Sequence, residues 1–198
     1  MSDHYFSAEP SSASRPRSFE LTVSGVTARF NSDSGVFSAD RVDKGSRVLL
    51  EALLRFRDWH GARVLDLGCG YGAIGVTLAK AGASVVMCDV NERALALCRG
   101  NAALNGVVAE CVSSDAGEGI EGPFDAVVTN PPIRAGKKTV YAFFDNARAL
   151  LKSGGGLFAV IRKQQGAESA EKRLRELFGS CETIEKEAGY RVLYSVKG

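Results

Sequence analysis

The chemistry legible in this chain lies in a glycine-rich turn, three acids and one proline corner. The run VLDLGCGYG over Val64–Gly72 carries Asp66, Gly68 and Gly70 between a strand-like apolar stretch and a helix-like one. Glycines at such a junction let the backbone turn sharply and approach a ligand beside the positive end of the following helix. Gly68, Gly70 and Ala73 also fit G-x-G-x-x-G/A, which keeps a dinucleotide open as the occupant. Asp66 weighs against it, because a carboxylate pointing into the loop repels a pyrophosphate but accepts hydrogen bonds from an ammonium group. Asp89 follows about 20 residues after the glycines, where an acid can bind both hydroxyls of a ribose. Asp115 ends the next strand-like stretch, where it can accept from the exocyclic amine of a purine. Three acids at the ends of three successive strands fit a ligand that carries a cation, a diol and a base.

The proline corner is Thr129-Asn130-Pro131-Pro132-Ile133. A strand terminator needs one proline, since a proline cannot donate a ladder bond. Two prolines also fix the directions of the Asn130 side chain and the Pro131 carbonyl. Two rigid acceptors aimed at one point suit an –NH₂ group. An amine on an aromatic base is a poor nucleophile, because its lone pair is delocalised into the ring. Accepting both of its N–H bonds holds the nitrogen and favours pyramidal geometry. The rest is in-line positioning and electrostatics, so no histidine or carboxylate base is compulsory.

These residues need a scaffold that brings strand ends together. Short apolar strands are predicted at Arg63–Leu67, Ser84–Cys88, Ala109–Ser113, Phe124–Thr129 and Gly156–Ile161, alternating with helices near Ala73–Ala81, Glu92–Asn105, Lys138–Leu151 and Glu168–Phe178. That rhythm predicts an α/β fold, a doubly wound, mostly parallel sheet covered on both faces. Cys181–Lys186 and Tyr190–Val196 flank Ala188-Gly189 as a closing hairpin, which adds one antiparallel strand. Upstream, Phe19, Leu21 and Val23 alternate with polar residues, as do Val26, Ala28 and Phe30 after Ser24-Gly25; a hairpin with one apolar face is expected. A helix follows around Lys44–Phe56. Residues 1–45 therefore read as an arm and hairpin that elaborate the same domain on its substrate side, and residues 46–198 as its α/β body.

Composition narrows the classes. With 198 residues, 45% hydrophobic and 24% charged, the chain reads as one globular domain. No apolar run approaches the ~20 residues of a membrane span. Met1–Arg17 has no apolar core, so no secretory leader is expected. Five cysteines without a CxxC pair, and only two histidines, give no metal-site spacing; reduced thiols in a cytoplasmic protein are expected. Glycine, at 22 residues, is well above the ~7% typical of proteins and points to tight turns. A net charge of +2 provides no general grip on nucleic acid.

DLGCGYG, Asp89, Asp115 and the NPP that follows, in that order from Arg63 onward, resemble the motif series of class I S-adenosylmethionine-dependent methyltransferases. The resemblance implies a seven-stranded, Rossmann-like sheet and S-adenosylmethionine as cofactor. It implies cofactor contacts from Asp66, Gly68, Cys69 and Gly70, from Asp89 and Val90, from Asp115 and Ala116, and from Asn130. Catalytic roles fall to Asn130, Pro131 and Pro132. Such a corner is similar to those of enzymes acting on exocyclic amines of bases or on glutamine amides. Adenine-N6 and glutamine enzymes usually have an aromatic residue where Ile133 stands; Ile133 can pack against a base but cannot stack on it.

A narrower likeness lies outside the cofactor motifs. HYFS at His4–Ser7, DSGVFS at Asp33–Ser38, VDKGS at Val42–Ser46 and NPPIRAGK at Asn130–Lys137 are similar to the small-subunit (16S) ribosomal RNA guanine-N2-methyltransferases. The better-known bacterial members carry two tandem domains, whereas one is present here. This likeness implies an RNA partner, ribosomal RNA or a ribosomal subunit, and methyl transfer to guanine N2. Phe37 is then expected to pack the base opposite Ile133, with Arg134 and Lys137 in a basic rim that meets phosphates. A glutamine, an adenine or a small molecule as acceptor, an NAD-binding oxidoreductase and a non-catalytic RNA-binding module stay open as alternatives.

Overall fold

A computed structural model of the chain describes residues 15–36, 38 and 42–198. Its centre is a seven-stranded sheet in which β3 (Arg63–Leu67), β4 (Ser84–Asp89), β5 (Ala109–Ser113), β6 (Phe124–Thr129) and β7 (Leu151–Arg162) are parallel. The closing hairpin of β8 (Glu182–Glu187) and β9 (Tyr190–Val196) completes it, β9 lying antiparallel between β7 and β8. The order is β5-β4-β3-β6-β7-β9-β8. The chain reverses its direction of winding between β3 and β6, and the carboxyl ends of these strands flank the crevice where α/β folds bind ligands.

Alternation within the strands separates two cores. On one face Val64, Met87, Val128 and Val160 meet the apolar sides of α1 (Lys44–Phe56), α2 (Ala73–Lys80) and α3 (Glu92–Leu104). On the other, Leu65, Cys88, Val127 and Ile161 meet α4 (Lys137–Leu150) and α5 (Ala167–Phe178). Burial on both faces explains why these strands read as nearly continuous apolar runs.

The N-terminal hairpin, β1 (Arg17–Val23) and β2 (Val26–Ser32), forms a separate two-stranded sheet. Ser24 and Gly25 both have positive φ, +47° and +82°, the geometry of the two-residue turn that matches strand twist. Buried Asn101 of α3 fastens the hairpin to the rest. Its Oδ1 accepts from the Asn31 N–H at 2.7 Å, and its Nδ2 donates to the carbonyls of Asn31 and Tyr71, each at 2.9 Å. One side chain thus ties the hairpin to the glycine-rich turn.

Several boundaries shift by one residue from the sequence-based expectation, and one shifts further. The strand predicted to begin at Gly156 begins at Leu151, because the chain leaves α4 directly into extended geometry and pairs Leu151 with Phe124. The pairing then shifts before Gly156 meets Ala126, so the glycines of Lys152–Gly155 form an irregularity within the strand. The C-terminal hairpin strand expected from Cys181 starts one residue later, at Glu182.

Candidate active site

A cleft of about 540 Å³ opens at the carboxyl ends of the parallel strands. Gly68–Tyr71 after β3, Asp89–Asn91 after β4, Ser114–Ala116 after β5 and Asn130–Arg134 after β6 line it. Asp43 and Ser46 from the start of α1, with Arg162 and Tyr190, also line it.

The glycine turn is held from beneath. Gly68 and Cys69 both donate their N–H groups to the Cys88 carbonyl, at 2.9 Å. The Gly70 N–H donates to Asp89 Oδ2 at 2.8 Å, and the Asn91 N–H to Asp89 Oδ1 at 3.0 Å. Asp89 therefore fixes the turn and still faces the cleft with lone pairs to spare. Burial raises its pKa, opposed by the backbone N–H groups of Asn91, Gly70 and Val90. Asp115 lines the cleft, and its carboxylate has no hydrogen-bond partner among the described residues. Ala116 beside it holds φ at +48°, an uncommon value for a residue with a side chain. Its carbonyl accepts from Asn146 Nδ2 at 2.9 Å.

Asp66 departs from the expectation. It was to face into the loop; it lies outside the cleft lining, fully buried, with Oδ2 accepting from the Gly75 N–H at 2.8 Å. The reason is local. Gly72 begins α2 in left-handed geometry and provides no side-chain cap, so the free N–H groups of the first helical turn claim the nearest carboxylate. Asp66 Oδ1 has no partner. Burial pushes the Asp66 pKa from its ordinary 3.8 to about 7, against the Gly75 hydrogen bond and helped by the charge of Asp89.

At the proline corner, Asn130 is held by α1. Its Nδ2 donates to Asp43 Oδ1 and to Ser46 Oγ, each at 3.1 Å. A carboxylate oxygen can only accept, so the amide nitrogen must face Asp43 and the amide oxygen must face away. That oxygen has no hydrogen-bond partner among the described residues. The carbonyls of Pro132 and Ile133 accept from Ala135 and Gly136 in a tight turn, at 2.9 and 3.1 Å, whereas the Pro131 carbonyl is left uncommitted among the described residues. The corner thus presents two acceptors at the cleft.

The remaining expected residues divide. Cys69, Val90, Ala116, Pro131, Pro132, Ile133 and Arg134 all line the cleft. Lys137 does not; exposed at the start of α4, its Nζ sits 5.2 Å from the centre of the Tyr141 ring. Phe37 lies outside the described residues, as do His4–Ser7 and Arg41. Asp43, Ser46 and Tyr190 line the cleft without having been singled out for it. Asp43 carried one local signal, an acid immediately before a predicted helix, but that signal indicates only a cap. All five cysteines are free thiols, and Cys69 and Cys98 pack 3.8 Å apart under the glycine turn.

Comparison with known proteins gives the arrangement a family. The methyltransferase small domain family matches residues 27–194. The uncharacterized protein YbxB of Bacillus subtilis (strain 168) is 41% identical over 202 residues, covering 100% of both chains. Ribosomal RNA small subunit methyltransferase C of Hahella chejuensis is 38% identical over 154 residues, 74% of this chain and 44% of that protein. Among solved structures, the T. thermophilus 16S rRNA N2 G1207 methyltransferase (RsmC), in complex with AdoMet and guanosine, superposes with a TM-score of 0.85 at 35% identity. It covers 92% of this chain and 51% of its own. The chain therefore spans YbxB whole and about half the length of the ribosomal RNA methyltransferases it matches. Its seven-stranded sheet, its cleft and this family match agree: the chain belongs to the methyltransferase small domain family, whose cofactor is S-adenosylmethionine.

Proposed function

We propose that the chain transfers a methyl group from S-adenosylmethionine to the exocyclic N2 amine of a guanine in ribosomal RNA. The observation that carries this reading is the orientation of Asn130. Anchored through its nitrogen, it leaves its oxygen without a partner among the described residues at the cleft that Pro131, its carbonyl likewise uncommitted among them, also lines. Two acceptors at one point fit the two N–H bonds of an amine and suit neither a hydroxyl nor a carbon acceptor.

The cleft fits the cofactor. Asp89, at the end of β4, has the lone pairs to accept from a ribose diol, and Asp115 the free carboxylate to accept from an adenine amine. Gly68, Cys69 and Gly70 allow close backbone approach, with Val90 and Ala116 flanking the base. Asp66 is buried beneath them with one oxygen unpartnered, and a cationic tail lying above the turn would favour its ionised form. The cofactor supplies an electrophilic methyl group on a sulfonium, which leaves as a neutral thioether.

The protein's own part is positioning. Asn130 Oδ1 and the Pro131 carbonyl hold the amine nitrogen and turn its lone pair toward the methyl group; Pro132 fixes the corner. As the nitrogen gains positive charge, both acceptors interact with it more strongly, so they favour the transition state over the ground state. The proton is lost to solvent after transfer, and no base is needed in the site. Ile133 packs against the base, and Arg134 and Arg162 at the cleft wall suit backbone phosphates. A base within a structured RNA must leave its stack to enter.

The RNA substrate and a cytoplasmic place of action are supported by the relatives above. Tritiated-methyl transfer to total RNA followed by nucleoside analysis tests the reading. N2-methylguanosine is expected; label confined to protein, or to another nucleoside, overturns the acceptor assignment.

A further inference from the structure

Asp43 does more at the cleft than cap a helix. Its Oδ1 accepts from the Gly45 N–H at 2.9 Å, the Ser46 N–H at 3.1 Å and Asn130 Nδ2 at 3.1 Å. All of its side-chain hydrogen bonds among the described residues thus fall on one oxygen. Oδ2 has none among the described residues, although Asp43 lines the cleft. The side chain is also locked: three donors on Oδ1 and the start of α1 leave the carboxylate little freedom to rotate away.

We propose that Asp43 is the base-selecting residue of this site, its free carboxylate oxygen accepting the N1–H of guanine while Asn130 and Pro131 hold the N2 amine. This rests on the reading of the chain as a guanine-N2 methyltransferase and deepens it. The argument is one of donor and acceptor order. Guanine is the base whose reactive amine has a ring N–H donor beside it. Adenine presents its N6 amine next to N1, an acceptor, and cytosine its N4 amine next to N3, also an acceptor. A glutamine amide likewise carries its carbonyl oxygen beside its –NH₂. An ionised carboxylate one hydrogen bond from Asn130 welcomes the donor–donor edge and opposes each donor–acceptor edge by lone-pair repulsion and lost solvation. Selectivity then needs no aromatic residue at position 133, where Ile133 stands.

The test compares guanosine with 2-aminopurine riboside, which keeps the amine but presents an unprotonated, accepting N1. Displacement of the fluorescent 2-aminopurine riboside by guanosine is measured in the complex with S-adenosylhomocysteine, for the wild type and for Asp43→Asn. The asparagine can still cap α1 through its oxygen, and it places an N–H₂ donor where Oδ2 stood. Wild type is expected to prefer guanosine by ~10-fold or more, as befits a hydrogen bond to a charged group. In Asp43→Asn that preference should fall by ~10-fold or invert, a change that a purely structural cap would not produce.

N1-methylguanosine gives a second measure that needs no variant, and it should bind the wild type ~10-fold or more weakly than guanosine. Equal binding of these nucleosides by the wild type, binding of none of them, or an unchanged ratio in Asp43→Asn overturns the proposal. Methyl transfer to RNA by the wild type, run in parallel, separates the two claims. N2-methylguanosine with an unchanged ratio removes only the role of Asp43, whereas label at another acceptor removes both.

Discussion

Asp43 and Asn130, 87 residues apart in sequence, meet through a 3.1 Å hydrogen bond that decides which end of the Asn130 amide faces the cleft. The first turn of α1 thereby sets the polarity of a corner that follows β6. Ser46 Oγ, also 3.1 Å from the same nitrogen, provides the second half of the anchor. A rotated amide would present N–H groups to an incoming amine and repel it.

Substitution at the corner should separate chemistry from cofactor binding. Asn130→Ala is expected to lower kcat by ~100-fold or more, in the range seen when one preorganised polar contact to a reacting group is removed. Affinity for S-adenosylmethionine should stay within a few-fold. Ser46→Ala removes one of two anchors and should cost only ~3- to 10-fold in kcat, a single neutral hydrogen bond. Single-turnover methyl transfer and calorimetry with the cofactor measure both; a large loss of cofactor affinity in Asn130→Ala would count against this division of labour.

The reverse pattern is expected at Asp89. Asp89→Ala should weaken S-adenosylmethionine by ~1–3 kcal/mol for lost charge-assisted hydrogen bonds. It also frees the Gly70 and Asn91 N–H groups, now held at 2.8 and 3.0 Å, so the glycine turn should exchange its amide hydrogens faster. Hydrogen exchange at Gly70 combined with titration calorimetry reads both effects, and unchanged affinity would remove Asp89 from the cofactor site.

Much of this was legible from the chain, for identifiable reasons. Strands such as Phe124–Thr129 and helices such as α1 were read to their observed ends, because apolar periodicity and caps are local signals. The glycine turn, Asp89, Asp115 and the proline corner were found by type and spacing, and they meet in one cleft. What sequence could not show was which donor each acid would meet. Asp66 lies beside a helix start without a side-chain cap and is claimed by the Gly75 N–H, a consequence of the left-handed turn at Gly72. Asp43 reads as an ordinary N-cap until α1 is packed against the end of the sheet. Lys137 was expected in a basic rim with Arg134; after the tight turn at Ile133–Ala135 it stands exposed outside the cleft lining, near the Tyr141 ring, which sequence spacing alone does not reveal.

The buried Asp66 predicts an unusual pH profile for the ligand-free protein. Its pKa is raised from 3.8 to about 7 in the fold, so the folded state binds a proton more tightly than the unfolded chain does. Its stabilising contribution is complete below pH ~4 and is lost progressively as pH rises through ~7. Asp89, also raised by burial, acts in the same direction. Thermal unfolding without cofactor should therefore show Tm falling between pH ~4 and ~7 and levelling off above. Asp66→Asn, which can still accept from the Gly75 N–H, should flatten that slope. An equally steep slope in the variant would place the titrating group elsewhere.

Gly68 and Gly70 stand two residues apart and should fail differently. Both have positive φ, +75° and +55°, so alanine at either costs ~1–2 kcal/mol in backbone strain. At Gly68 a Cβ would also lie 2.9 Å from Cε1 of Phe143, a ring buried between the sheet and α4 that must then shift. At Gly70 a Cβ would meet nothing within 4 Å, because it points into open space at the cleft. Gly70→Ala should lower Tm by only several degrees, at ~2–4 °C per kcal/mol for a chain of this size, and Gly68→Ala by more. Cofactor affinity should fall in both, in Gly70→Ala because the methyl group occupies volume that the ligand needs. Melting curves with and without S-adenosylhomocysteine distinguish the two: the ligand-induced rise in Tm should nearly vanish in Gly70→Ala although its fold is intact. A full ligand-induced rise in that variant would mean that the cofactor does not approach the backbone at Gly70.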